Sequence, residues 1–159
     1  MFWQILVGAL AVGIIAIHFH RGLTMGRRVT ALWESGAEAF ERQAFEEARR
    51  AFARIVKLSP SSAAPRRMLG RTLVALNRLD EAEPLFRLAA DLEPRNGDGR
   101  LELGMFLALH RPGLADEAFA AIEQAFALDP QLRNAMASWP LPPQLRDNPR
   151  LRALLETTQ

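Results

Sequence analysis

The chain has 159 residues, a formal net charge of +2, 49% hydrophobic residues and 24% charged residues. This length holds one modest folded domain and a short appendage. Because the sequence contains no cysteine, it excludes a disulfide framework, a thiolate zinc site and a cysteine nucleophile. The small net charge gives no case for a nucleic-acid partner.

The N-terminal residues 1–20 are predicted to form a membrane anchor. The stretch from Phe2 to Phe19 is apolar apart from Gln4, His18 and two glycines. A helix of this length rises about 27 Å, close to the roughly 30 Å thickness of the hydrocarbon core. A cleaved signal peptide is the alternative, but the run has no basic segment before it and no small-x-small cleavage site after it.

The residues on either side of the predicted anchor indicate its orientation. Trp3 is expected at one membrane interface. Arg21, Arg27 and Arg28 are expected at the other, within a basic linker over residues 21–28, where each arginine contacts anionic headgroups at roughly 1 kcal/mol. Because basic residues follow the anchor and none precedes it, the rest of the chain is expected in the cytoplasm of a bacterial cell. A periplasmic location is the alternative.

Within the predicted anchor, Ala9 and Gly13 are four residues apart. Small residues at this spacing can admit a second helix at close range, but they are also ordinary components of membrane helices. The sequence leaves open whether the anchor is only a tether or also a packing surface.

A 34-residue period organises the sequence after the linker. Pro94 follows Pro60 by 34 residues. The same spacing relates three more pairs of identical residues: Gly36 and Gly70, Ala48 and Ala82, and Phe52 and Phe86. The order continues to Gly104 and Pro130 with two residues added. We place the addition in the turn over residues 110–113, since proline and glycine break helices.

Pairs of packed helices explain the 34-residue period. A glycine inside an amphipathic helix costs roughly 1 kcal/mol relative to alanine, and the usual compensation is the close approach of another helix. Small alanines on the partner helix serve the same approach, and each proline ends a helix. The pattern therefore predicts an all-α chain of antiparallel helix pairs.

Small and apolar residues between Ala63 and Pro94 recur in a fixed order: Leu69-Gly70, Leu73, Ala82, Phe86, Ala89 and Pro94. This order resembles the signature of the tetratricopeptide repeat. The resemblance implies a right-handed superhelix of three repeats, over residues 29–62, 63–96 and 97–132, followed by capping helices over residues 131–159. With the predicted anchor, the layout is similar to that of membrane-anchored bacterial tetratricopeptide proteins.

Several local boundaries follow from turn and capping residues. Asp80 and Glu83 have the spacing of a capping box, with Asp80 as N-cap of the second helix in the second repeat. Residues 96–99 are expected to form the turn into the third repeat. A further helix is expected over residues 132–138, and a last short helix is expected to start at residues 147–149.

The resemblance also implies that the first helix of each repeat lines a concave groove for peptides or partner helices. The matching positions are Thr30, Trp33, Ala37, Phe40, Glu41, Arg67, Arg71, Val74, Ala75, Leu101, Met105, Ala108 and Leu109. Arg67 and Arg71 share a helix face, so they could grip a ligand carboxylate together. A solvated face with local ion pairs is the alternative for this pair, and packing against the linker is the alternative for Trp33.

No arrangement of residues in the sequence indicates catalysis, because there is no Gly-rich phosphate loop and no histidine grouped with an acid and a nucleophile. No metal, cofactor or small-molecule substrate is expected. The sequence predicts a membrane-anchored adaptor that binds a protein segment in its groove and helps assemble or regulate a membrane-associated complex. A structural accessory subunit of a larger membrane complex and a periplasmic assembly factor are the alternatives.

Overall fold

The computed structural model describes residues 24–156, and no β-strand occurs within this range. The first helix, α1, covers residues 24–41. The helices after it are α2 (Phe45–Leu58), α3 (Ala64–Ala75), α4 (Leu79–Leu92), α5 (Gly97–His110), α6 (Ala115–Leu128), α7 (Pro130–Ala137), α8 (Pro143–Arg146) and α9 (Pro149–Glu156). A short 3-10 helix, Pro112–Leu114, lies between α5 and α6. Neighbouring helices from α2 to α6 pack on one another in chain order.

The predicted anchor over residues 1–20 lies outside the described residues and stays a prediction. Among residues 24–156, no helix is both long enough and apolar enough to cross a bilayer. The structure differs from the predicted linker over residues 21–28, because residues 24–28 already belong to α1. The first repeat therefore begins with a longer helix than the sequence pattern indicated.

The first two helix pairs turn in the same way. Gln43 has φ of 61° and Asn77 has φ of 57°, and these left-handed residues lie 34 positions apart. In the first turn, the N–H of Ala44 donates to the carbonyl of Ala39 at 2.8 Å, which is the long hydrogen bond of a Schellman motif. The N–H of Arg78 makes the equivalent bond in the second turn at 2.8 Å.

The third turn contains the two added residues. Arg111 has φ of −133°, so this turn lacks the left-handed residue, and the chain passes through the 3-10 helix instead. The predicted site of the insertion, residues 110–113, agrees with the structure. Counted from the repeat glycine, α5 ends one residue later than α3, and the connection to the next helix grows from three residues, 76–78, to four, 111–114. A change of loop length of this size has a small entropic cost.

The first two pairs close over a glycine of their first helix. A Cβ atom at Gly36 would lie 3.0 Å from Cζ of Phe52, and one at Gly70 would lie 2.9 Å from Cζ of Phe86. Both phenylalanines are buried. The absence of a glycine side chain therefore makes room for the largest side chain of the partner helix.

The short helices at the C-terminal end complete the core of the third repeat. Met136 of α7, Leu145 of α8 and Leu151 of α9 are fully buried in one apolar cluster with Phe126 of α6. The predicted last helix starts as expected, because the side chain of Asn148 accepts the backbone N–H of Arg150 at 2.9 Å. The helix α8 has no counterpart in the sequence analysis.

One predicted cap and one predicted turn are wrong. The helix α4 begins at Leu79 with Arg78 as its N-cap residue, so Asp80 is the second helical residue and its carboxylate accepts from Arg111 at 2.6 Å. The predicted turn over residues 96–99 is mostly helical, because Asn96 is the N-cap of α5 and accepts the N–H of Asp98 at 2.9 Å.

Ion pairs link each repeat to the next along one edge of the structure. In every case an arginine reaches back to an acid in the first turn of the preceding second helix: Arg78 to Glu46 at 3.4 Å, Arg111 to Asp80 at 2.6 Å and Arg150 to Asp116 at 2.6 Å. The last arginine belongs to α9, so this helix stands where the second helix of a further repeat would begin. The acids are exposed, and such pairs contribute at most about 1 kcal/mol each.

Glu83 makes the least exposed contact of this edge. It accepts from Arg111 at 2.8 Å and from Arg87 at 3.0 Å. The hydrogen bond from Arg111, with the one from Arg87, holds the pKa of the Glu83 carboxyl below its usual range. Both guanidinium groups thus hold Glu83 ionised between two repeats.

We predict that Gly104→Ala destabilises the fold. A Cβ atom there would lie 2.6 Å from Cγ1 of Ile122 and 2.7 Å from the carbonyl oxygen of Ala118, so the backbone of α6 would have to move. Overpacking of this kind lowers the free energy of unfolding by about 1–2 kcal/mol. Chemical denaturation of the full chain in mild detergent, followed by circular dichroism, measures the change.

Gly26→Ala is the matched control, because Gly26 is also helical and has nothing within 4 Å of the added atom. Its expected effect is neutral or stabilising by up to about 1 kcal/mol. Equal stability of the two variants would contradict the close contact between α5 and α6.

Candidate protein-binding groove

A concave groove of about 470 Å³ runs along the first helices of the second and third repeats. Six residues predicted for the groove line it together: Arg67, Arg71, Val74, Leu101, Met105 and Leu109. They come from α3 and α5, whose side chains recur on one face every three or four residues. The helix α4 follows α3 and precedes α5 in the chain, and it packs against both of them. This packing brings α3 and α5 to the same side of the structure.

The floor of the groove is apolar. Leu101 is buried in the core beneath it, while Val74, Met105 and Leu109 are half-buried and present part of their surface to the groove. Trp139 also lines the groove, with 41% of its surface exposed. An exposed tryptophan beside an apolar floor offers a large contact surface to a partner.

The two predicted arginines line the groove together with two acids of α5, Asp98 and Glu102. Arg71 binds Glu102 through two hydrogen bonds, from Nη2 at 2.7 Å and from Nε at 3.2 Å. Nε of Arg67 lies 3.6 Å from the same carboxylate, and its Nη1 lies 3.9 Å from Asp98. The predicted alternative of local ion pairs is therefore present in the structure. The formal charges of the four side chains cancel.

Arg67 is the more enclosed of the two arginines, with 18% of its side chain exposed. Its Nη1 atom is buried without a hydrogen-bond partner among the described residues. Glu102 is similarly enclosed, with 15% of its side chain exposed. Arg67 and Glu102 therefore attract each other in a site that is partly shielded from water. Removal of either side chain leaves the other charge enclosed, which lowers the free energy of unfolding.

His110 also borders the groove. Its ring lies 5.3 Å from the ring of Phe106. Shielding from water, with a smaller contribution from the charge of Arg111, lowers the pKa of His110. The imidazole is therefore neutral at pH 7 and adds no charge to the groove.

The predicted residues of the first repeat are placed differently. Trp33 borders a smaller cleft of about 130 Å³ beside Arg67 and Arg71, and its ring packs edge-on against Phe52 at 5.5 Å. It therefore extends the lined surface toward the first repeat. Trp33 thus packs within its own helix pair, and its predicted packing against linker residues 21–23 lies outside the described residues.

The remaining predicted positions line neither cleft. Phe40 packs edge-on against Phe45 at 5.4 Å, and Ala37 is half-buried in α1. Ala108 packs against the core. The other members of the set are exposed on α1 and α3: Thr30, Glu41 and Ala75.

Sequence reasoning missed the wall that α7 and the segment after it contribute. Leu132 and Trp139 both line the groove, although the repeat pattern ends at Pro130. The usable signal was the position of α7, which directly follows the second helix of the third repeat. A helix at that place occupies the position of the first helix of a fourth repeat, so its side chains face the groove.

The predicted membrane residues Trp3, Ala9, Gly13 and Arg21 lie outside the described residues. Arg27 and Arg28 are exposed on α1. Within residues 24–156, no three histidine, aspartate or glutamate side chains are grouped so that they could hold a metal ion.

The tetratricopeptide-repeat family matches residues 39–100, from α1 into α5. This segment of the chain contains tetratricopeptide repeats. The predicted family and the predicted helical solenoid are thus confirmed. A comparison with curated protein sequences finds no significant match.

Solved structures of other tetratricopeptide-repeat proteins share this fold. The secretion chaperone SycD of Yersinia enterocolitica, in complex with a peptide of the translocator YopD, is 18% identical with a TM-score of 0.63, over 79% of this chain and 90% of SycD. The TPR2B domain of yeast Sti1, in a complex with pHsp70, is 16% identical with a TM-score of 0.63, over 80% and 95%. YrrB, described as having an unusual peptide-binding site, is 26% identical with a TM-score of 0.56, over 67% and 54%.

We predict that Glu102→Gln destabilises the fold, because it leaves the enclosed guanidinium of Arg67 with only the longer ion pair to Asp98, at 3.9 Å. The expected loss is about 1–3 kcal/mol in the free energy of unfolding. Chemical denaturation of the full chain measures it.

Glu123→Gln removes an exposed carboxylate that makes no hydrogen bond or ion pair with other described residues, and it should change stability by less than about 0.5 kcal/mol. If Glu102→Gln were as stable as this control, the ion pairs of Glu102 with Arg67 and Arg71 would not contribute to the free energy of unfolding. Both arginines would then be available to a ligand.

Proposed function

We propose that the chain is a membrane-anchored adaptor that binds a segment of a protein partner in its concave groove and helps assemble or regulate a membrane-associated complex. The single observation that carries the proposal is the continuous groove, in which side chains of α3, α5 and α7 surround an apolar floor. SycD is in complex with a peptide of YopD and the Sti1 domain is in a complex with pHsp70, which supports a protein segment as the occupant.

Electrostatics narrows the chemistry of this segment. Glu102 and Asp98 already balance the charges of Arg67 and Arg71. A carboxylate from a ligand would have to displace Glu102 from two good hydrogen bonds and gain little in exchange. The occupant is therefore an apolar segment that fills the floor between the arginines and Trp139. Its affinity comes mainly from buried apolar area rather than from charge.

The proposal includes an anchor over residues 1–20, with the repeats in the cytoplasm of a bacterial cell. The apolar run from Phe2 to Phe19 and the arginines after it support this arrangement. A structural accessory subunit, with the anchor packed among other helices, is the second candidate, and the Ala9 and Gly13 pair favours it.

We predict that Met105→Glu in the full chain abolishes capture of the partner. Met105 lies on the groove floor, so a bound apolar segment would bury the new carboxylate without a partner. A penalty of about 1–3 kcal/mol lowers the affinity by roughly tenfold or more. Affinity purification from native membranes in mild detergent, with quantification of the co-purified protein, measures the loss.

Leu88→Glu is the matched control, because Leu88 is an exposed apolar residue of α4 that lines no part of the groove. It should retain capture. If Met105→Glu, shown to be folded by circular dichroism, also kept the partner, recognition would lie on another surface and the groove proposal would be wrong.

The predicted topology has its own test. A fluorescent protein that matures only in the cytoplasm, fused after Gln159, should be bright, because the arginines after the anchor retain the repeats on that side. Alkaline phosphatase, which is active only in the periplasm, should be inactive at the same position. The reverse result would place the groove in the periplasm.

A further inference from the structure

A second cleft, of about 710 Å³, lies between the two helices of the first repeat. Arg28, Ala31 and Leu32 of α1 line one side, and Arg54, Lys57 and Leu58 of α2 line the other. We call this surface the basic cleft. Its lining contains three cations and no acid, in contrast to the charge-balanced groove.

The cations of the basic cleft are free of internal partners. Arg28, Arg54 and Lys57 are exposed, and none of them makes an ion pair or a side-chain hydrogen bond with another residue between 24 and 156. Many arginines elsewhere in the repeats are engaged, including Arg71 with Glu102 and Arg111 with Glu83. Three adjacent cations repel one another unless an external anion neutralises them.

The repeat architecture does not require these cations. The positions of α4 that correspond to Arg54 and Lys57, 34 residues later, hold Leu88 and Asp91. The corresponding positions of α6, after the two-residue insertion, hold Gln124 and Ala127. The basic character is therefore specific to the first repeat and not a feature of the helix pair as such.

The basic cleft lies at the end of the first repeat that faces the rest of the N-terminal sequence. It combines the early part of α1 with the last turn of α2, and residues 1–23 lead into the same end of α1. Arg28 follows Phe19, the last residue of the apolar run, by nine residues. A membrane entered by that run would hold its phosphate groups next to this cleft.

We propose that the basic cleft binds the phosphate groups of anionic lipids. The first repeat then contacts the membrane surface directly and is not attached to the membrane through the anchor alone. The inference rests on the proposed membrane anchor. Each cation near an anionic surface strengthens association by about fivefold, while the half-buried Leu32 and Leu58 supply apolar contact beneath the cations.

Lys57 is the only lysine of the sequence, so its acylation reports on the cleft directly. The experiment reconstitutes the full chain in nanodiscs of phosphatidylcholine alone and of an equal mixture with phosphatidylglycerol. A succinimidyl ester then labels the protein, and mass spectrometry measures the rate at Lys57. We expect labelling to be roughly threefold slower or more with phosphatidylglycerol, and we expect high salt to remove the difference.

Single variants localise the effect. Arg54→Gln should weaken the protection of Lys57, whereas Arg95→Gln should leave it unchanged, because Arg95 is an exposed arginine of the loop between α4 and α5. Adding inorganic phosphate to phosphatidylcholine nanodiscs tests the other source of the same chemistry. Full protection by free phosphate would identify a soluble anion site and overturn the lipid proposal.

The outcomes separate this inference from the anchor. If the chain incorporates into both kinds of nanodisc and Lys57 reacts equally in both, the anchor stands and the lipid-binding cleft is wrong. If the chain associates only with phosphatidylglycerol and Lys57 is protected there, the cleft stands without a spanning anchor. If the chain associates with neither lipid, both proposals fail.

Discussion

The contact between a glycine of the first helix and a large side chain of the second is the constraint on which the repeats depend. Gly36 and Gly70 each receive a phenylalanine ring, and Gly104 receives Ile122. The contact fixes how closely the two helices of a pair approach. Because each pair buries only one side of its apolar surface in this way, the next pair must cover the rest. The groove is the concave result of that stacking.

The sequence was informative where sterics alone decide the structure. The spacing of glycine, alanine and phenylalanine predicted the helix pairs. A Cβ atom at Gly36 or Gly70 would lie about 3 Å from a phenylalanine ring, so a larger residue at these positions would crowd the close-packed contact. Prediction from the sequence failed where a residue distant in the chain binds a side chain that a local motif had assigned to a cap. Asp80 has the local spacing of a cap, but Arg111 from the following repeat takes its carboxylate. A local motif cannot reveal a competitor that folding brings in from 31 positions away.

The sequence predicted which helices line the groove, but it did not predict that the charges of the two arginines in the groove are balanced by acids. Six of the positions that the family resemblance implied lie together on one surface. The state of Arg67 and Arg71 depends on Glu102, which reaches them from α5. The pair therefore serves first to hold two repeats together and to keep the groove electrically neutral. Trp139 escaped prediction for a different reason, since the repeat pattern fades before the segment that carries it.

Position along the solenoid explains why arginine has two roles in one chain. In the interior, each turn between helices can pair its arginine with an acid of the preceding repeat, as Arg78 does with Glu46. The equivalent position of the first repeat is Ala44, which has no preceding repeat to bind. The cations Arg54 and Lys57 on the first repeat likewise make no ion pair with any residue between 24 and 156, so they are available to an external anion. The anionic membrane surface that we propose beside the N-terminal apolar run would supply one.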